Sequence, residues 1–314
     1  MRRRRPPRTP TRLTLRQALR LFGPALESFY LHRAPRLGAA LAFYTVFSIP
    51  PLLIFVIGVG GQIFGKDAAA GRLASTLSDL IGVTGAQALQ DVLRDVHREH
   101  KGPLPTVLGI TTLLVGATAV FGQLKDALDT IWGVEPKPGQ AWALFLKKYV
   151  WSLVLLLGTG FLLLVSLALN ALLAALGDYL GRTLPGGQHL WSAVNALLSL
   201  GGIMILFALM FRFIPDVRVS WKDALVGGTL TAALFSVGES LIGYYLGRTR
   251  VGSAFGLTGS VVVLLLWVYY SSMIFLYGAE YTKGFALKRG ERIVPEAEAR
   301  RIPSGTESQG STNL

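Results

Sequence analysis

The stretch Leu190-Trp-Ser-Ala-Val-Asn-Ala-Leu-Leu-Ser-Leu-Gly-Gly-Ile-Met-Ile-Leu-Phe-Ala-Leu-Met-Phe211 runs for 22 residues without a charged side chain. A helix needs about 20 mostly apolar residues to cross the hydrocarbon core of a bilayer. In lipid, a helix is one of the few structures that satisfy all their own backbone polar groups. Five more mostly apolar blocks of spanning length lie at Leu37–Phe64, Leu104–Leu124, Tyr149–Leu176, Ala224–Leu246 and Leu257–Phe285, the last two carrying embedded charges. The spacing predicts an all-α polytopic membrane protein with six transmembrane helices. Charged residues make up 16% of the chain, against about 25% in soluble domains, because the apolar residues gather into blocks.

Working outward, residues 1–12 form an Arg/Pro/Thr-rich arm expected to be disordered. Over 13–36, Leu15, Ala18, Leu19, Phe22, Leu26 and Phe29 fall at helical spacing with Arg16, Arg20 and Glu27 between them. That pattern predicts an amphipathic helix kinked at Pro24, lying on the membrane surface or packed on the cytoplasmic ends of the bundle. The six-helix domain occupies 37–287. Within it, Pro50 and Pro51 break the first span, and the second continues as a helix through Trp132. The polar segment 66–102 reads as a small extracytoplasmic helical cap between the first two spans. From 288 to 314 the chain reads as a disordered cytoplasmic tail.

With the N-terminus inside, 23 of the 31 Lys and Arg residues fall on the cytoplasmic side. The positive-inside bias therefore places both termini in the cytoplasm, as an even number of spans requires. The net charge of +13 is accounted for by this asymmetry, so no nucleic-acid partner is expected. The partners expected are membrane lipids, with anionic lipid at the basic arm; a homo-oligomer is compatible with the sequence. Cysteine is absent, which excludes disulfides, thiolate metal sites and a cysteine nucleophile.

Four segments in order resemble the YihY/BrkB family of bacterial inner-membrane proteins. They are Ala39-Ala-Leu-Ala-Phe-Tyr-Thr-Val-Phe-Ser-Ile-Pro-Pro-Leu-Leu, Phe121-Gly-Gln-Leu-Lys-Asp-Ala-Leu-Asp-Thr-Ile-Trp-Gly-Val, Phe211-Arg-Phe-Ile-Pro-Asp, and Leu266-Trp-Val-Tyr-Tyr-Ser-Ser with Tyr277-Gly-Ala-Glu-Tyr. The resemblance covers roughly Leu13 to Lys288. It differs from the usual pattern at Asp129-Thr130 and at Ala254-Phe255-Gly256-Leu257. It implies six helices and a bacterial inner-membrane location. The family's names imply a ribonuclease (the older label) or a virulence factor, and some members are suspected of moving lipids or solutes. Resemblance therefore fixes fold better than activity.

An acid inside a span is costly and normally faces a partner or a cavity. Glu239, deep in the fifth block, and Glu280, in the sixth, are thus candidates for a substrate pathway together with Tyr269, Ser272, Pro50 and Pro51. Tyr269, Ser272, Leu276 and Glu280 share a helix face. For Glu280 the structural alternative is interfacial anchoring by Lys283. For Glu239 the candidate partners are Arg212, Lys125 and Arg248. Lys125, Asp126 and Asp129 follow the second span, with an i,i+4 pair between the first and last, while Arg212 and Asp216 flank the helix-ending Pro215. These five read as a cytoplasmic hinge or head-group site, with Arg212 reaching for the head groups. Gly58/Gly60/Gly61, Gly201/Gly202 and Gly227/Gly228 read as surfaces for close helix approach.

His97-Arg98-Glu99-His100 lacks the two-histidine spacing of a zincin. No catalytic set, metal site or cofactor is expected, and the chain is read as a non-enzyme. Broken helices and embedded acids are features of substrate pathways. The leading expectation is a transporter or flippase-like exporter of a small solute or lipid. A non-transporting envelope scaffold is the alternative; a membrane-bound ribonuclease finds no carboxylate cluster in the loops to support it.

Overall fold

The computed structural model describes residues 14–48, 103–137, 187–248, 256–297 and 299–302; the side chains of some helical residues, Glu239 among them, lie outside that description. The expectations for residues 1–12, for Pro50 and Pro51, for the cap at 66–102, for the third span and for residues 303–314 fall outside the described residues.

Helices dominate. They are α1 (Leu15–Leu19), α2 (Phe22–Leu31), α3 (residues 34–48), α4 (Pro103–Trp132), α5 (Gly187–Phe213), α6 (Trp221–Arg248) and α7 (Gly256–Lys288). Two short strands, β1 (Val134–Pro136) and β2 (Ala299–Arg301), pair antiparallel with Glu135 opposite Arg300. The helical expectation stands, with this short ribbon added to it, and the described part of the expected disordered tail is ordered. Residues 289–297 fold back on the bundle, where Val217 bridges Pro295, the Arg218 amide donates to the Val294 carbonyl, and the Glu296 amide donates to the Asp216 carbonyl.

The amphipathic segment is not one kinked helix. It breaks between α1 and α2 at Arg20–Leu21, while Pro24 sits in the first turn of α2, where amides have no intrahelical acceptor to lose. Its second break is at Arg33, which takes the left-handed conformation (φ 53°) just past the α2 cap residue His32. Ala25 and Phe29 bury one face of α2 against α7, and the Tyr277 hydroxyl donates to the Phe22 carbonyl at 3.1 Å. The segment is thus packed on the bundle, yet Leu19, Leu26, Tyr30 and Leu31 stay exposed on its other side.

α4 to α7 contain 30, 27, 28 and 33 residues. Among the described residues, however, no helix is long and apolar enough to cross a membrane. Polar positions interrupt the described stretches, Lys222, Asp223, Thr229 and Thr231 in α6 and Ser271, Ser272, Glu280 and Lys283 in α7. The expected count of six spans is therefore not established by these helices.

The core lies where α4, α5 and α7 meet. Leu128, Ile131, Phe211 and Leu276 are fully buried, and the Phe211 ring stacks on Phe275 at 5.0 Å. α6 packs antiparallel on α7 through a reciprocal pair of small-residue turns. A Cβ on Gly227 would overlap Thr282 Oγ1, and a Cβ on Gly278 would overlap Thr231 Oγ1. Both threonines can be fully buried because each hydroxyl donates to the carbonyl four residues back, at 2.7 and 2.6 Å. On the α5 side, a Cβ on Gly228 would stand 2.6 Å from the Met204 carbonyl oxygen, so here too the backbones are in contact. The Gly227/Gly228 surface is as expected, whereas Gly201 and Gly202 have nothing within 4 Å among the described residues.

Candidate functional site: a charged network at one end of the bundle

The turn that places Lys125 and Asp129 on one face of α4 makes their pair, at 3.0 Å. Pro215 ends the α5 segment, and the chain reverses so that the Asp216 amide donates to Asp129 Oδ1 at 2.7 Å. The Asp216 carboxylate then closes on Lys125 from the other side. One ammonium is shared by two carboxylates from two elements. Burial pushes the Asp129 carboxyl up to about 6, against the pull of Lys125 and of the Asp216 amide. Burial alone would lower Lys125, but the two carboxylates outweigh it and hold its pKa above the ordinary value.

Arg212 does not reach out to head groups. It folds under Trp221, with the guanidinium 4.6 Å from the ring centroid, and donates to the Val219 carbonyl. Asp126, on the exposed side of α4, accepts through its carbonyl from the Thr130 hydroxyl at 2.7 Å. The five hinge candidates thus gather at one end of the bundle, four of them through side-chain contacts around the α5–α6 turn.

Glu280 is 2% exposed, and its carboxylate lies 2.5 Å from His32 Nδ1. The expected anchor, Lys283, instead donates to the Ile131 carbonyl at 2.5 Å. The left-handed turn at Arg33 aims His32 at α7, and Gly38, one and a half turns on, admits Met273 and Ser272 against α3. Of the face expected to line a pathway, Leu276 and Glu280 are buried and the Ser272 hydroxyl is bonded to the Val268 carbonyl at 2.8 Å. Tyr269 is half-buried. Glu239 belongs to α6; two of its three candidate partners, Lys125 and Arg212, are engaged elsewhere.

His32, whose contact spans 248 positions, carries no local sequence signal, and Asp223 and Arg289 carry little. Asp223, 1% exposed in the first turn of α6, pairs with Arg289 just past α7 at 2.5 Å. Burial raises its pKa, opposed by Arg289. The only sequence signal for it was an acid beside a basic residue at a helix start.

A family model described as Virulence factor BrkB matches residues 25–303. A UPF0761 membrane protein of Azotobacter vinelandii is 30% identical over 284 residues, covering 86% of this chain and 64% of the relative. One from Stenotrophomonas maltophilia is 30% identical over 283 residues (88% and 62%), and one from Ralstonia nicotianae is 27% identical over 269 (81% and 57%). The chain thus spans a little under two thirds of the length of these relatives. No solved structure matches it.

Proposed function

The chain belongs to the virulence factor BrkB family of integral membrane proteins, and from that premise we propose that it is a transporter or flippase-like exporter of a small solute or lipid. In this reading it crosses the bacterial inner membrane six times with both termini in the cytoplasm, and it is not an enzyme. The observation that carries the proposal is Glu280, a buried carboxylate on α7 closed off by His32. In this reading the hydrogen-bonded pair between the α2–α3 turn and α7 is a gate, which a cationic or hydroxylated solute opens by taking over the carboxylate.

The test is a thermal-shift screen of detergent-purified protein against lipids, lipid precursors and small polar solutes, followed by flux into liposomes. A ligand at about 100 times its Kd stabilises the native fold by about 2.7 kcal/mol. We expect a stabilising ligand whose effect and flux fall at least tenfold in Glu280→Gln and in Glu239→Gln. Equal shifts in all three proteins, by anionic lipids alone, would replace the transporter with a scaffold. One observation favours that second reading: Leu19, Leu26 and Leu31 are exposed beside Arg16 and Arg20, as on a helix pair that rests on anionic lipid with the basic arm.

A further inference from the structure

Trp132, the last residue of α4, is 3% exposed, and its Nε1–H has no acceptor among the described residues. Asp223 Oδ2 is likewise buried and unpartnered, because Arg289 occupies the other carboxylate oxygen. Both residues line one cleft, with Val219 and Ala286 as its apolar wall and Arg218 and Arg292 also along it. Buried polar atoms are paired in native proteins with few exceptions, so a donor and an acceptor left open in one cleft call for a third group.

Chemistry narrows that group. It must accept from an indole N–H and donate to a carboxylate, which a hydroxyl can do. An ammonium has no lone pair for the indole, and a phosphate oxygen has no proton for Asp223. The space is about 10 Å³, on a scale where one water needs roughly 10–15 Å³, so a single hydroxyl-sized group fits. Arg218 and Arg292 are exposed, and neither guanidinium has a partner among the described residues. Glu291, also along the cleft, stands 3.9 Å from Arg289. Two open guanidiniums beside a hydroxyl-sized recess suit a phosphate ester that carries a free hydroxyl.

We propose that this cleft binds a phosphoglycerol-type group, its hydroxyl between Trp132 and Asp223 and its phosphate at Arg218 and Arg292. The site is separate from the His32–Glu280 pair and does not depend on transport. The group has two sources, a lipid head group or soluble glycerol phosphate.

Full-length protein in detergent would be titrated with glycerol 3-phosphate, short-chain phosphatidylglycerol and short-chain phosphatidylcholine, and binding read by calorimetry. Phosphatidylglycerol should bind and phosphatidylcholine should not. Binding of glycerol phosphate as well shows that the head group suffices; binding of phosphatidylglycerol alone assigns the site to lipid. Trp132→Phe keeps the ring and removes the N–H, and should weaken binding about tenfold. Arg218→Gln/Arg292→Gln, on the surface and away from the core, should weaken it at least as much and serves as the deciding variant if Trp132→Phe does not fold. Equal affinity for both lipids, or unchanged binding in the folded variants, means that the cleft holds only a water and overturns the proposal.

Discussion

Gly278→Ala should melt well below the parent protein, and Thr231→Ala in the same chain should restore much of the loss. The new Cβ would overlap Thr231 Oγ1 and stand 3.0 Å from Thr231 Cβ and 3.2 Å from Phe211 Cζ. Thr231 cannot swing aside cheaply. It is fully buried, β-branched, and holds the Gly227 carbonyl at 2.7 Å. The helices must separate, and with them the Phe211 packing. Overpacking costs about 1–3 kcal/mol in ordinary cores. The upper end is expected here, because in a membrane protein close backbone approach is itself a main source of helix association. Thr231→Ala alone should cost about 1 kcal/mol through a lost methyl and a lost back-bond. In the double variant the added methyl enters the space just vacated, so the two losses should be far from additive. Gly227→Ala with Thr282→Ala is the mirror experiment on the same interface. Size-exclusion detection after heating reads both; a Gly278→Ala protein melting with the parent would dismiss the reciprocal packing.

This interface shows what a sequence can and cannot announce. Gly227 and Gly228 are visible as small residues in an apolar block, and their packing follows from that alone. The pairing of each glycine with a threonine on the other helix depends on register, which no local pattern encodes. Gly201 and Gly202 carry the same local signal and meet no neighbour among the described residues. The Lys125–Asp129 pair was legible because it is built within one helical turn. Its third member, Asp216, was legible as a residue but not as a partner, since its approach depends on the chain reversal after Pro215. The His32–Glu280 contact and the docking of residues 289–297 and of β2 were illegible for the same reason. A charged, proline-bearing segment reads as disordered when its order comes from single amide bonds and a three-residue ribbon formed with distant elements. Membrane character was legible throughout, because it rests on composition; the number of crossings requires helix boundaries that composition does not supply.

The largest electrostatic effect should come from Lys125→Met. The parent network sets one ammonium between Asp129, whose side chain is 8% exposed, and Asp216, at 21%. Removing it leaves two carboxylates facing each other with little water around one of them. Breaking a buried pair by deleting one partner costs about 3–5 kcal/mol, and the partial exposure of Asp216 argues for the lower end. The loss should depend on pH in a defined direction. In the parent, Asp129 titrates at about 6 against an ordinary 3.8, so the folded chain holds this proton more tightly than the unfolded one. Its contribution to stability is therefore greatest at low pH and is lost as the pH rises through about 6. Without Lys125 the folded value moves higher still, because the one opposing positive charge is gone. Lys125→Met should thus be most destabilised at pH 8 and approach the parent near pH 5, where one carboxyl takes a proton and bonds to the other. Lys125→Met/Asp129→Asn should recover much of the deficit at pH 8, since it leaves one carboxylate in place of two. Melting curves of the three proteins across that range decide the matter. A deficit that stays constant with pH would mean that Lys125 acts through the packing of its methylene chain, and that the charge shared between α4 and the α5–α6 turn contributes little to holding this end together.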